Sequence, residues 1–558
     1  MYKKIHFSNN LIMINYIEYR EKLAVAFKGS KDIMALDTTA LGRAAVLCYI
    51  DGMTDKELID RNVIEPLKKC DINFALRQSE RFNSTIKNID CIDITSIMQD
   101  DNNCNLTNYY DSTDINSNGE QNENDSKGNC LIREQNCVEI NETRAITADL
   151  LNKIIYISDP IIVCESFEEM INRIASGDIG LMIDGAESFF VLSLRDYKIR
   201  GITEPPVSTV LRGPREGFVE DMKVNMTMLR RRFRTPDLVF DLMQIGKYSG
   251  TQIAIAYIDG VADNGVVEKI KSRISEINCD GIIDSSYIAR YIEDNKHSLF
   301  NQVGTAEKPD IIAGKLLEGR VAIICDGSPT VITLPFVLFE HFQASEDYYT
   351  KSYRASATRI LRVIAMIIAI SLPAAYVALQ EFQYHMFPLK LLVVIMNSLQ
   401  GVPLTPTIEM IVLLLVFEIL NEASVRMPRY VGTALSIVGA IVLGESAVSA
   451  GLLSVPTLLV TAMSTIGLYC VPDEVDAGSI LRILFVAVAG VLGIFGLILA
   501  VFALFGYMVG LRNYGTSYMA PFAPMLPLDM QDGVTKKNLI DMKKRPFSIP
   551  TINRVRAK

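Results

Sequence analysis

The residues best placed to do chemistry are carboxylates in an apolar setting. The run LTPTIEMIVLLLVFEILNEASVRMPRY, from Leu404, carries Glu409, Glu418, Glu422 and Arg426 among aliphatic side chains. On a helix, Glu418, Glu422 and Arg426 are successive i, i+4 neighbours on one face, and Glu409 lies half a turn away from Glu418. The three-residue ladder spans roughly 12 Å at 1.5 Å per residue. An ionised acid near a bilayer centre costs about 2.5 to 3.5 kcal/mol, so such a face must meet water, a cation path or a basic partner. A face lining an ion path, with all four residues as candidates, satisfies that demand. The competing structural reading pairs Glu422 with Arg426 at headgroup level and lets Glu418 snorkel. Glu445, further on, is a fifth ion-path candidate, an ionisable group whose role the sequence does not derive.

These residues need a membrane around them, and the flanking segments supply one. Val363 to Gln380 contains no charge and follows the basic Lys351, Arg354, Arg359 and Arg362, so it is expected to span, with a kink near Pro373. Ile483 to Leu511 is uncharged after Arg482, and Gly490, Gly493, Gly496, Gly506 and Gly510 would allow close helix contact. Basic residues flank both ends of the region, which places both ends on the cytoplasmic side and requires an even number of crossings. The expectation is four spans, near 360–380, 404–424, 430–453 and 480–510. The proline-bracketed pieces Leu391 to Pro403 and Val455 to Val471 would be short or re-entrant.

Composition agrees with a chain partly in lipid: 558 residues, 49% hydrophobic, with mean hydropathy +0.23. A formal charge of −9 argues against nucleic acid as a partner, even with the basic run Arg230 to Arg234. The ten cysteines form no CxxC pair, and the N-terminus lacks the continuous apolar core of a secretory signal. There is no GxxxxGK[ST] loop and no HExxH, and none of the four histidines has a ligand-spaced partner. No enzyme, cofactor or metal is expected.

The soluble part carries an internal duplication. Two stretches, from Asp32 and from Asp237, each hold an apolar strand ending in Tyr-Ile-Asp-Gly (Tyr49 to Gly52, Tyr257 to Gly260), then a polar turn and a helix-period segment. A second pair of echoes, from Gly177 and from Gly319, reads as strand, Asp-Gly, strand, a hairpin signal. Asp51 and Asp184 are 133 positions apart, whereas Asp259 and Asp326 are 67 apart. The excess falls in 79–143, an Asn-, Asp-, Ser- and Gly-rich insert expected to be disordered. The four Asp-Gly corners are read as turn chemistry rather than catalysis, since Asp accepts from its own turn and Gly supplies positive φ.

The predicted architecture is an α/β cytoplasmic domain of two similar subdomains followed by an α-helical polytopic membrane domain. Its parts are an N-terminal segment 1–31, subdomain 1 at 32–203, a linker at 204–236, subdomain 2 at 237–345, the membrane domain at 355–520 and a basic tail at 521–558.

The linker is the most distinctive segment. It holds Glu204, Pro205 and Pro206, then Arg212, Gly213, Pro214, Arg215, Glu216, Gly217 and Phe218, then Glu220, Asp221 and Asn225, and the cluster Arg230, Arg231 and Arg232. Paired prolines force an extended entry and Gly213-Pro214 a turn, with helical spacing from Glu216 onward. The run resembles the signature of the A subunits of GerA-type spore germinant receptors. The membrane order Pro406, Glu409, Glu418, Glu422, Ala423, Arg426, Pro428 is similar to that family's too, with Ser424 in place of the usual Gly and Glu445 where an amide is common. The resemblance implies a subunit that oligomerises with copies of itself into a ligand-gated cation channel in the spore inner membrane, alongside a transporter-like B subunit and a lipoprotein C subunit. It also implies assembly or interdomain contacts for the linker. A second reading makes the chain an accessory or scaffold paralogue of a spore dipicolinate-release channel. A secondary transporter would show inverted membrane repeats, and the duplication here lies only in the soluble half.

Overall fold

The computed structural model describes residues 14–69, 146–157, 159–195, 212–426 and 444–557. The insert expected at 79–143, the opening Glu204, Pro205 and Pro206 and most of the span expected at 430–453 lie outside these residues.

The α/β half is built from two five-stranded antiparallel sheets of the same topology. The first holds β1 (Ile33–Ala40), β2 (Arg43–Ile50), β3 (Ile162–Cys164), β4 (Ile179–Ile183) and β5 (Phe189–Leu192) in the order β1-β2-β4-β5-β3. The second repeats that order with β6 (Leu238–Ile245), β7 (Thr251–Ile258), β8 (Gly304–Ala306), β9 (Val321–Cys325) and β10 (Val331–Leu334), as β6-β7-β9-β10-β8. The central strands β4 and β9 are buried at every position, consistent with their continuous apolar runs. Each Asp-Gly corner sits at a strand end, and Gly52, Gly185, Gly260 and Gly327 all take positive φ. Helix α1 (Phe167–Ala175), capped by Ser166, packs Met170, Ile171 and Ile174 against the first sheet.

Helix α2 (Met222–Arg232) joins the two sheets. Its N-cap Asp221 accepts from the backbone of Lys223 and Val224. Helices α3 (Asn264–Ser275) and α4 (Pro309–Leu317) belong to the second subdomain.

The helical half begins with α5 (Ser352–Glu381), which runs unbroken through Pro373. There follow α6 (Leu389–Ser398), α7 (Pro406–Arg426), α8 (Val455–Tyr469) and α9 (Val475–Gly510). Among the described residues, two helical stretches are long and apolar enough to cross a membrane, Ser352–Glu381 and Pro472–Gly510. The second does not cross as one rod, contrary to the single span expected at 480–510. Gly493 has φ 61° and ψ −150°, outside the helical region. A Cβ on Gly496 would come within 2.9 Å of the Val488 carbonyl oxygen, eight residues back, which a straight helix would hold about 12 Å away. Both ends of α9 meet the same part of the α/β half: Asn301 donates to the Asp473 carbonyl at 3.2 Å, and the Tyr507 and Phe300 rings lie 6.3 Å apart. The helix therefore doubles back at Gly493 into halves of about 27 and 25 Å, each near the ~30 Å of a hydrocarbon core.

Residues 521–557, within the basic tail expected at 521–558, fold back onto both halves. Asp532 accepts from Arg359 and from Tyr348, each at 2.8 Å. Arg545 donates to the Leu317 carbonyl at 2.6 Å, and Thr551 forms a β-bridge with Ala262.

Candidate functional site: an acidic pocket and an arginine clamp

Helices α7 and α9 meet near the α/β half and flank an open cleft of about 430 Å³ lined by Glu418, Asn421, Glu422, Asp476 and Ser479, with Val475, Ile480 and Ile483. The i, i+4 spacing on α7 is what aims Glu418 and Glu422 into one space. Glu418 is neutralised from across the cavity: Oε1 accepts from Arg482 Nη2 at 2.5 Å and from Ser479 Oγ at 2.5 Å. Arg482 is 1% exposed and also donates to Thr465 Oγ1 at 3.2 Å. Glu422 instead pairs with Arg426 at 2.5 Å, with both side chains largely in the open.

The expected carboxylate face is thus divided. Glu418 and Glu422 meet in the pocket, and Arg426 serves Glu422. Glu409 is at the other end of α7, fully buried, with Oε1 accepting the Ser454 N–H at 2.5 Å. Glu445 is exposed in helical backbone near that far end. Sequence reasoning treated Arg482 as a boundary marker before an apolar helix. The available signal was an arginine in one apolar helix and glutamates in another, since a buried charge needs an opposite one in a medium of low dielectric.

The linker forms a clamp on both subdomains. Arg230, 0% exposed, is bidentate on Asp32 (Nε to Oδ2 2.7 Å, Nη2 to Oδ1 2.9 Å) and reaches Ser30 Oγ at 3.0 Å. Ser30 Oγ in turn accepts the Phe240 N–H at 3.0 Å, so one arginine holds residues of both sheets. On the same helix Lys223 contacts Asp51 at 3.0 Å, while the Met222 N–H donates to Asp326 at 3.2 Å. Two of the Asp-Gly corners, one from each subdomain, therefore hold the first turn of α2. Burial alone would push the Asp51 carboxyl up, but Lys223 and Lys56 outweigh it and hold it below the usual range.

The other signature residues shape this segment. Glu216 bridges Arg232 at 2.7 Å and Arg231 at 3.3 Å, and these arginines overcome its burial to keep its acidity high. The Asn225 side chain closes a ring on Val219, accepting its N–H at 2.9 Å and donating to its carbonyl at 2.5 Å. Gly217 and Phe218 are buried, and the Phe218 N–H donates to the Glu307 carbonyl at 2.7 Å. The Arg212 N–H reaches Glu346 at 3.4 Å, and Pro214, half-buried, and Arg215, exposed, follow in irregular backbone. Gly213 has φ 118°, and a Cβ there would strike the Tyr349 ring at 2.6 Å. Glu346 and Tyr349 immediately precede α5, so the clamp ends against the root of the first long helix. Arg230 was the residue to single out from sequence: Met222, Met226 and Arg230 recur at i, i+4 on the apolar face, while Arg231 and Arg232 turn outward.

The family of Bacillus/Clostridium GerA spore germination proteins matches residues 123–548. The chain is 37% identical over 394 residues to spore germination protein KA of Bacillus subtilis (strain 168), covering 70% of this chain and 72% of that one. It is 31% identical over 423 residues to spore germination protein GerLA of Bacillus cereus, covering 75% and 86%. A third relative, the uncharacterized membrane protein YfkQ of Bacillus subtilis (strain 168), is 34% identical over 383 residues, covering 68% and 75%. Among solved structures, the N-terminal domain of the A subunit of the Bacillus megaterium spore germinant receptor GerK3 aligns at 22% identity with TM-score 0.36, over 59% of this chain and 98% of that one. With the family match running from the soluble half through the last helix and into the tail, the chain belongs to the GerA family of spore germination proteins.

Proposed function

We propose that the chain is the A subunit of a nutrient germinant receptor, and that copies of it assemble into a ligand-gated cation channel of the spore inner membrane. Its partners on this reading are a transporter-like B subunit and a lipoprotein C subunit, with the α/β half and the tail in the cytoplasm. The observation that carries the reading is the pocket of Glu418, Glu422 and Asp476 where two apolar helices meet the α/β half. With Arg482 committed to Glu418 and Arg426 to Glu422, Asp476 leaves the pocket net negative, a field that concentrates cations and repels anions. Clamp, tail and α5 root form one contact chain, a route by which an event at the α/β half reaches that pocket.

Spores of the native host carrying wild-type protein or Glu418→Gln with Glu422→Gln, at equal abundance, test the reading. K⁺ release after nutrient addition should be lost or slowed at least tenfold in the double variant. Unchanged release would contradict it. A second reading makes the chain an accessory to a spore dipicolinate-release channel. On that reading, deletion of the chain spares nutrient-triggered K⁺ release and slows a later step.

A further inference from the structure

The distal end of the helical half, away from the acidic pocket, holds polar atoms that the packing leaves over. Helix α8 presents a buried row of hydroxyls, Ser454, Thr457, Thr461, Ser464 and Thr465, each at most 7% exposed. Most of that row is internally satisfied. Thr461 and Thr465 donate back to the Thr457 and Thr461 carbonyls at 2.8 and 2.9 Å, and Ser464 donates to the Ala369 carbonyl at 2.6 Å.

The first turn differs. Ser454 and Thr457 share a single 2.7 Å bond between their hydroxyls. The Tyr376 hydroxyl of α5 lies beside both and within electrostatic reach of Glu409, yet it is buried without a hydrogen bond of good geometry. Glu409 is 0% exposed; one carboxylate oxygen takes the Ser454 N–H and the other, Oε2, is buried with no partner. Gln380, one turn beyond Tyr376 on the same face of α5, also has both amide atoms buried and unpaired. The neighbouring Glu381 is occupied, accepting the Thr407 N–H at 2.9 Å.

A buried carboxylate with one open oxygen is several kcal/mol out of balance unless a positive charge joins it. The groups at hand are one carboxylate and a surplus of neutral hydroxyl and amide oxygens. Such hard oxygen donors suit an alkali cation, whereas Ca²⁺ or Mg²⁺ would call for more acids, and no cluster of three or more His, Cys, Asp or Glu exists among the described residues. We propose that Glu409, with the hydroxyls of Ser454, Thr457 and Tyr376, binds a desolvated monovalent metal cation of the Na⁺ or K⁺ class. The site ties α5, α7 and α8 together at the distal end, and it stands whether or not the acidic pocket conducts.

Thermal unfolding of the full chain in lipid nanodiscs, followed with a thiol-reactive dye, tests the proposal in NaCl, KCl or N-methyl-D-glucamine chloride at equal ionic strength. The unfolding midpoint should rise saturably, by about 3 °C or more, with one or both alkali cations. Glu409→Gln keeps the acceptor for the Ser454 N–H and should abolish that dependence, Tyr376→Phe should raise the half-saturating concentration at least threefold, and Glu268→Gln, at an exposed carboxylate of α3, should leave it intact. If Glu409→Gln does not fold, Tyr376→Phe decides: an unchanged half-saturation then overturns the proposal. Equal midpoints in all three chlorides would overturn it. So would a cation shift retained in Glu409→Gln, or a midpoint that follows pH and not the cation, which would assign the site to a proton.

Discussion

At the residue scale, buried charges placed where elements meet hold the molecule together. Removing one member of a buried, hydrogen-bonded pair costs about 3–5 kcal/mol because its partner is stranded, whereas an exposed pair contributes about 1 kcal/mol or less. Arg230→Ala should therefore lower the unfolding midpoint far more than Arg231→Ala, and full-chain thermal melts of the two variants side by side provide the check. Similar effects would remove Arg230's special role. A second junction joins the end of the α/β half to the start of α9: His341, buried, sits 2.6 Å from Glu474 and 3.8 Å from Asp473. Burial pulls the His341 pKa down, but Asp473 and Glu474 win and raise it to about 9. Because the folded value exceeds the unfolded one, the contribution is complete below pH ~6.5 and disappears as pH rises through about 9, at most about 3 kcal/mol in all. Melts of wild type and His341→Gln from pH 6 to 10 should converge as the pH rises. A constant difference across that range would leave the histidine's charge without a role.

At the element scale, the local code was legible wherever period and turn chemistry coincided. Tyr-Ile-Asp-Gly twice over announced two equivalent strand–turn–helix units, and the identical strand orders bear that out. What could not be read was pairing between distant elements. Glu418 and Arg482 are 64 residues apart, and nothing local shows that α7 and α9 bring them to 2.5 Å. Glu409 was grouped with the other acids by composition, and only the packing of α8 against α7 puts it in a different environment. The reversal of α9 was hidden because five glycines in an apolar run read equally as close packing; one positive φ at Gly493 decides. Gly493→Ala should be costly, since a Cβ there meets the Phe382 ring at 3.0 Å in a conformation that side chains rarely adopt. A loss of about 2 kcal/mol or more is expected, with Gly510→Ala, which meets nothing within 4 Å, as the neutral control. Equal melting of the two variants would argue for a straight α9.

At the scale of the whole molecule, the connections that join the α/β half to the helices include the clamp through Glu346 and Tyr349, the His341 junction, and the tail through Asp532. The tail is the least expected, because Arg359 at the root of α5 is buried against both Asp347 at 3.0 Å and Asp532 at 2.8 Å. This arrangement couples the helical half to the α/β half, as the proposed gated path requires. The central claim is that such a path passes cations. It is tested most directly by the reversal potential of the receptor reconstituted in planar bilayers under a KCl gradient, with nutrient present. The account predicts a nutrient-dependent current reversing near the K⁺ equilibrium potential, and a shift toward zero in Glu422→Gln. A current reversing at the Cl⁻ potential, or no current from a complex that still binds nutrient, would contradict it.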